Sequence, residues 1–141
     1  MKMPPKEKIL EAYSCIADGR IQMDDTSAKV QSSDGTKTYA VRWDGDTFAS
    51  TDNATYWQGY PGYPVIAVLL LQRSLPYDPE EILTLKGIPW KELNDRHKRN
   101  YAEAAKEALR DIANREEVLR MQEKTWEALE NLPLVIRRKL P

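Results

Sequence analysis

The residues that most often carry out acid–base, nucleophilic and metal chemistry are scarce in this chain. Its 141 residues include one histidine, His97, and one cysteine, Cys15. A structural zinc site needs four nitrogen or sulfur ligands, so these two side chains cannot close one. No nucleophile pattern surrounds His97, and Cys15 lies beside Tyr13 and Ile16, where a small buried hydrophobe is typical. We therefore predict no enzymatic activity, no metal site and no cofactor.

Aromatic and basic side chains offer the chemistry of binding instead. Residues 51–64 are rich in Tyr, Trp, Gly and Pro, and their rings either stack on bases or belong to the core. Basic clusters at 96–99 and 137–139 are of the type that contacts phosphate, although neighbouring acids favour a solvated helix face. The net charge of −1 gives no global attraction to nucleic acid or to anionic lipid. The candidate interaction residues are Trp57, Tyr60, Tyr63, Arg96, Lys98, Arg99 and Trp126.

The most apolar run of the sequence, residues 65–71, predicts the central helix of the fold. It contains no polar side chain, so a folded domain must bury it. Pro64 suits the first turn of a helix, and Pro76 ends it. We expect this helix to pack on a sheet through the residues Val65, Ile66, Val68 and Leu69. An N-terminal helix, with apolar residues at helical spacing and Asp18-Gly19 at its end, precedes the sheet.

The residues between these two helices predict a three-stranded antiparallel β meander. Residues 20–30 alternate weakly, with a bulge or tight turn expected at two aspartates. Residues 38–44 place three large side chains on one face, and residues 47–49 form a short third strand. Asp-Gly pairs at 34–35 and 44–45 mark the hairpin turns. The face of the second strand that we expect against the central helix carries Tyr39, Val41 and Trp43.

The C-terminal segment predicts a long helix or a helical hairpin. Residues 90–131 contain no glycine or proline, and apolar residues recur at steps of mostly three or four. One helix of this length exceeds the usual length in a globular domain. It either bends near Asn114-Arg115 or projects and pairs with a second chain. Residues 134–141 are expected to form a short, loosely held tail.

The order of three short motifs resembles that of a SWIM zinc-finger domain over about residues 6–75. The motifs are Gly-Arg at 19–20, Tyr-x-Val at 39–41 and Ile-Ala-Val-Leu-Leu at 66–70. The resemblance implies a Cys-x-Cys and a Cys-x-His that hold zinc, and an accessory role in recognising nucleic acid or protein. The Cys-x-His would fall on Gly62 and Pro64. The Cys-x-Cys would fall near Ala49 and Thr51 or on Ser50 and Asp52.

None of these positions carries a thiolate or an imidazole, so the resemblance implies a degenerate, metal-free derivative. We expect the aromatic rings of Trp57, Tyr60 and Tyr63 to fill the volume around the lost metal and to replace part of its stabilisation by burial. The alternative is an unrelated α+β domain with a similar order of elements.

The sequence thus predicts an α+β fold with a small SWIM-like domain at residues 1–89 and a helical extension at 90–141 that packs on it or self-associates. The expected function is that of a non-catalytic interaction protein that binds a protein partner or forms a homodimer through the long helix. The alternative is a nucleic-acid-binding accessory module that uses the hairpin, the aromatic loop and the basic clusters. No signal-peptide pattern opens the chain and no run reaches the roughly 20 apolar residues of a membrane span, so we expect a cytoplasmic protein without a membrane partner.

Overall fold

The computed structural model describes residues 1–140, and it confirms the prediction of a mixed α+β fold. Short π-helical and 3₁₀-helical segments occupy Ala54–Gln58 and Glu81–Leu85. The α-helices are α1 (Glu7–Ala17), α2 (Tyr63–Leu71), α3 (Trp90–Arg96), α4 (Tyr101–Leu109) and α5 (Arg115–Glu130). The strands are β1 (Ile21–Met23), β2 (Ser27–Gln31), β3 (Thr38–Asp44), β4 (Thr47–Ser50) and β5 (Val135–Ile136).

The sheet has five strands in the order β1-β2-β3-β4-β5, so the prediction of three strands is wrong. The segment 20–30 forms two antiparallel strands instead of one, because the chain turns tightly at its two aspartates. Strands β1 to β4 form an antiparallel meander, in which Ala28 of β2 lies opposite Val41 of β3. Trp43 lies opposite Phe48 across β3 and β4, and their rings stack with centroids 5.7 Å apart.

The fifth strand comes from the C-terminal tail, which is paired rather than loosely held. β5 runs parallel to β4, and Val135 N donates to Asp46 O at 2.9 Å. Arg137 N donates to Phe48 O at 2.9 Å. An unpaired edge strand leaves a row of backbone groups open, and β5 satisfies that row on β4. Leu134, immediately before β5, is buried and contributes to the core.

Helices α1 and α2 form the centre of the core. Every residue of α2 from Pro64 to Leu70 is buried, which confirms the predicted burial of the apolar run. The proline lies in the first turn, where its missing N–H leaves no intrahelical bond unmade. Ile9 and Tyr13 of α1 are fully buried against this core. No helix among residues 1–140 combines the length and apolarity needed to cross a bilayer.

The C-terminal segment forms three helices rather than one long helix or a hairpin of two. α3 ends because Lys98 and Arg99 adopt left-handed backbone conformations, with φ values of 52° and 66°. Asn100 then caps α4 by accepting a hydrogen bond from Glu103 N at 3.2 Å. A second break separates α4 from α5 before Arg115, close to the predicted bend. The absence of glycine therefore did not imply a continuous helix.

The apolar stripe of the C-terminal helices is largely covered within the chain. Leu93, Leu109 and Leu129 are buried in the same core as α1 and α2. The Tyr13 and Thr125 hydroxyl oxygens are 2.6 Å apart, which joins α1 to α5. Pairing with a second chain, one of the two predicted arrangements, is therefore not needed to cover most of this stripe.

Candidate ligand-binding cleft

A cleft of about 230 Å³ lies where α1, the β2–β3 turn, the start of α2, α3 and the turn before α4 meet. Two contacts hold its rim in place. Ser33 Oγ accepts a hydrogen bond from Lys91 N at 2.9 Å, which ties the β2–β3 turn to α3. Within that turn, hydrogen bonds from Thr36 and Ser32 lower the pKa of Asp34 to about 2. The cleft is therefore built on a rigid hairpin and two helices.

An ion pair from consecutive turns of α1 forms the floor of the cleft. Lys8 Nζ lies 3.2 Å from Glu11 Oε2, and both side chains are mostly buried. Glu11 is only 5% exposed, so burial raises the pKa of its carboxyl group, an effect that the nearby Lys8 ammonium reduces. Buried charges of this kind usually have a full set of hydrogen bonds. Apart from this ion pair with Lys8, however, Glu11 Oε2 accepts no hydrogen bond within residues 1–140.

Asn94 of α3 supplies a second unpartnered acceptor at the same cleft. Its Oδ1 atom is buried and accepts no hydrogen bond from residues 1–140. A buried acceptor without a donor costs about 1–3 kcal/mol, so a group that donates to Asn94 Oδ1 would stabilise the cleft. Such an arrangement is typical of a place where a ligand supplies the missing donors.

Tyrosine rings form the walls of the cleft. The rings of Tyr39 and Tyr63 meet edge to face with centroids 6.3 Å apart. The Tyr63 hydroxyl donates to Gln31 O at 3.3 Å, and burial raises its pKa. The Lys8 ammonium lies 4.2 Å from the ring centroid of Tyr101, a cation–π contact that orients the lysine. The walls thus present aromatic surface beside a polar floor.

The rim is basic. Arg20 and Lys91 line the cleft and each pairs with an aspartate, at 2.9 and 3.2 Å respectively. Lys37 and Arg99 also line it, and neither has a carboxylate oxygen within 4.0 Å among residues 1–140. These two side chains leave positive charge available at the mouth.

The structure brings together only some of the residues that the sequence singled out. Tyr63 and Arg99 line the cleft, although they are distant in sequence. Tyr60 is half-buried, with the Lys2 ammonium 5.6 Å from its ring centroid. Lys98, next to Arg99, is exposed and does not line the cleft.

The other three predicted residues lie outside the cleft. Arg96 forms an ion pair with Glu107 at 2.5 Å, so the predicted basic cluster is partly neutralised. Trp126 is half-buried, with the Lys6 ammonium 5.5 Å from its ring centroid. Trp57 is 63% exposed, so the expectation that it fills the space around a lost metal is wrong.

A compact hydrogen-bond cluster occupies the positions where the resemblance placed metal ligands. Ser50 Oγ donates to Asp52 Oδ1 at 2.5 Å, and Thr55 Oγ1 donates to Asp52 Oδ2 at 3.0 Å. Gly62 N in turn donates to Thr55 Oγ1 at 2.9 Å. These donors do not fit zinc, because one carboxylate and two hydroxyls replace the thiolates and imidazole, and the carboxylate is already bonded. Among residues 1–140, no three His, Cys, Asp or Glu side chains group as a metal site.

Residues 1–135 match the model of the family described as Uncharacterised conserved protein UCP014422. The chain belongs to this family. No curated protein and no solved structure matches it.

The lone histidine and cysteine of this UCP014422 member have structural surroundings. His97 Nε2 lies 2.9 Å from Glu107 Oε1, so the ring joins the end of α3 to α4. Hydrogen bonds from His97 and Arg96 lower the pKa of Glu107. Cys15 is fully buried, which confirms the predicted small hydrophobe, and burial raises the pKa of its thiol to about 12.

Sequence reasoning missed the polar floor of the cleft in this UCP014422 member. The sequence analysis singled out none of Lys8, Glu11 and Asn94. A signal was present in α1, because Glu11 and Lys8 lie four and seven residues before Cys15, on the same helix face as this side chain that was expected to be buried. No local pattern marked Asn94, whose role depends on how α3 packs against α1.

Proposed function

We propose that this protein is a non-catalytic module that binds a short single-stranded nucleic-acid segment in the cleft. One observation carries the proposal: three features far apart in sequence converge there. The β2–β3 turn contributes Lys37, the aromatic loop contributes Tyr63, and the basic cluster after α3 contributes Arg99. Aromatic faces beside unpaired cations form the usual platform for single-stranded nucleic acid, since rings stack on bases and cations contact phosphates.

The expected binding site is small. The whole chain has a net charge of −1, so attraction to phosphate comes from the rim of the cleft rather than from the whole surface. Lys37 and Arg99 are positioned to contact about two phosphates. For a single strand, the logarithm of the binding constant then falls with the logarithm of salt concentration with a slope of about −1.4.

Reversing the two free charges is expected to weaken this binding about tenfold or more. The test is fluorescence anisotropy of a labelled short oligothymidine with the native protein and with Lys37→Glu/Arg99→Glu. The matched control is Arg110→Glu/Arg120→Glu, which changes net charge equally at two exposed arginines outside the cleft. The native protein and the control should bind alike, with the shallow salt slope given above. Equal loss in both double variants, or no binding by the native protein at low salt, would refute the proposal.

The SWIM resemblance forms part of the same proposal. Its support is that Ser50, Asp52 and Gly62, which occupy three predicted ligand positions, belong to one hydrogen-bond cluster: Ser50 bonds to Asp52, and Thr55 links Asp52 to Gly62. We propose that this hydrogen-bond cluster takes the structural place of the metal in a degenerate member of that fold. It would then hold the aromatic loop against the end of β4, where Tyr63 enters the cleft.

Self-association through α5 is a second candidate function. Leu119 of α5 is 40% exposed, and it borders a groove of about 340 Å³ between α1, α4 and α5. Leu10 and Leu109 also line this groove, so its surface is partly apolar. This interface is smaller than the stripe that the sequence suggested, because most of that stripe is buried within the chain.

If α5 forms a dimer, Leu119→Glu should convert it to a monomer, since a charge at the centre of an apolar contact is desolvated without a partner. Light scattering coupled to gel filtration at micromolar concentration measures the mass. Leu83→Glu is the control, because Leu83 is a similarly exposed leucine on the Glu81–Leu85 segment. A monomeric mass for the native protein would exclude this candidate.

A further inference from the structure

The floor of the cleft presents one donor and two acceptors without complete hydrogen bonding. Lys8 Nζ has three N–H donors, of which one faces Glu11 Oε2 at 3.2 Å. Glu11 Oε2, apart from its ion pair with Lys8, and Asn94 Oδ1 are the two buried side-chain acceptors that accept no hydrogen bond in residues 1–140. All three groups line the same cleft. A ligand that satisfies them must offer an acceptor and two N–H donors from one compact edge.

Among the four common bases, guanine offers this combination. Its Watson–Crick edge carries a carbonyl acceptor at O6, a donor at N1–H and a donor at the N2 amino group. We propose that the cleft floor selects a guanine base, with O6 accepting from Lys8 and the two N–H groups donating to Glu11 and Asn94. This inference rests on the proposed function, and it assigns the base that the single strand inserts.

The other bases leave at least one of the three protein groups unsatisfied. Adenine presents an acceptor at N1, which would oppose the carboxylate of Glu11. Cytosine presents one amino donor and two acceptors, and thymine and uracil present one N–H donor. An acceptor that faces an acceptor in a buried site is strongly disfavoured, because both groups stay desolvated without a hydrogen bond.

The walls and the size of the cleft suit a single base. The rings of Tyr39 and Tyr63 contact each other edge to face at the cleft, and the ring of Tyr101 lies next to Lys8. The volume of about 230 Å³ lies below the range that drug-sized ligands occupy, as expected for one flat ring. Arg99 and Lys37 at the rim are then available to the phosphates that flank the inserted nucleotide.

The test varies the ligand, so it does not depend on the folding of a variant. Short thymidine oligonucleotides with one central guanine, inosine, 2-aminopurine or adenine compete with a labelled oligothymidine for the native protein. Guanine should bind about tenfold more tightly than adenine, since a matched set of edge contacts discriminates on that scale. Inosine lacks the amino group that faces Asn94, and 2-aminopurine lacks the N1–H that faces Glu11. The oligonucleotides with either of these two bases should therefore bind less tightly than the one with guanine.

A variant assigns the contact to Asn94. Asn94→Ala removes the acceptor, so it should abolish the difference in affinity between the guanine and inosine oligonucleotides. Asn53→Ala is the matched control, because Asn53 also lines the cleft but is exposed. The control should keep the full difference between the two bases.

The outcomes separate this inference from the proposed function. If the native protein binds oligothymidine but prefers no base, guanine selection is refuted and single-strand binding stands. If guanosine monophosphate binds in preference to adenosine monophosphate while no oligonucleotide binds, the floor selects guanine in a free nucleotide, and the single-strand proposal is refuted. If neither nucleotides nor oligonucleotides bind, both are refuted.

Discussion

Replacing Gly62 with alanine is expected to destabilise the folded protein by about 3 kcal/mol. A Cβ atom at this position would overlap Asp52 Oδ2 and come within 3.1 Å of Thr55 Oγ1. Asp52 cannot move away without cost, because its carboxylate is buried and accepts hydrogen bonds from Ser50 and from both the backbone and the side chain of Thr55. The substitution therefore displaces a buried carboxylate from its donors.

Urea unfolding followed by circular dichroism measures this loss. Gly59→Ala is the control, because Gly59 has a φ of 75° with open space where a Cβ would lie. Gly59→Ala should lower the free energy of unfolding by about 1 kcal/mol, because it only places an alanine in a left-handed backbone conformation. A loss for Gly62→Ala no larger than that of Gly59→Ala would show that the cluster around Asp52 yields easily, and would remove the support for its role in place of a metal.

The parts of the fold that local sequence signals control were predictable. Asp-Gly pairs lie at both predicted hairpin turns, and glycines 35 and 45 adopt the left-handed conformation that such turns require. The apolar run at residues 65–71, preceded by Pro64, correctly predicted the position of α2. In each case, the residues that determine the structure lie within a few positions of one another.

The errors lie where distant parts of the chain decide the structure. Lys98 and Arg99 take left-handed conformations that glycine usually occupies, so the end of α3 has no sequence signature. The capping pattern of Asn100 with Glu103 was a usable signal for the start of α4. β5 forms because the edge of β4 needs hydrogen-bond partners, and a two-residue strand carries no alternation to recognise.

The residues of the candidate site also fall into two groups: those that the sequence indicated and those that only the packed structure reveals. Tyr63 and Arg99 were selected by residue type alone, and the structure places both at the cleft. Glu11 and Asn94 gain their significance from missing hydrogen bonds, and a missing bond is a property of the packed structure. A sequence shows which side chains are able to bind, whereas burial shows which of them still need a partner.

The C-terminal helix is expected to be as important to stability as the central core. Leu129 of α5 is fully buried, so Leu129→Ala should lower the free energy of unfolding by about 2–5 kcal/mol through lost burial and the cavity that remains. Thr125 links the same helix to the rest of the chain, since its hydroxyl lies 2.6 Å from that of Tyr13 and donates to Pro76 O at 2.8 Å. These contacts join α5 to segments 112 and 49 residues away in sequence.

Leu119→Ala provides the matched control on the same helix, because Leu119 is 40% exposed. It should cost less than about 0.5 kcal/mol. Urea unfolding followed by both circular dichroism and tryptophan fluorescence should give one shared transition for native protein and variants, with only Leu129→Ala shifted strongly. A helix that merely extends from a separate N-terminal domain behaves differently: Leu129→Ala would then leave the main transition in place and melt α5 in an earlier step. That result would contradict the shared core and support the predicted division of the chain near residue 89.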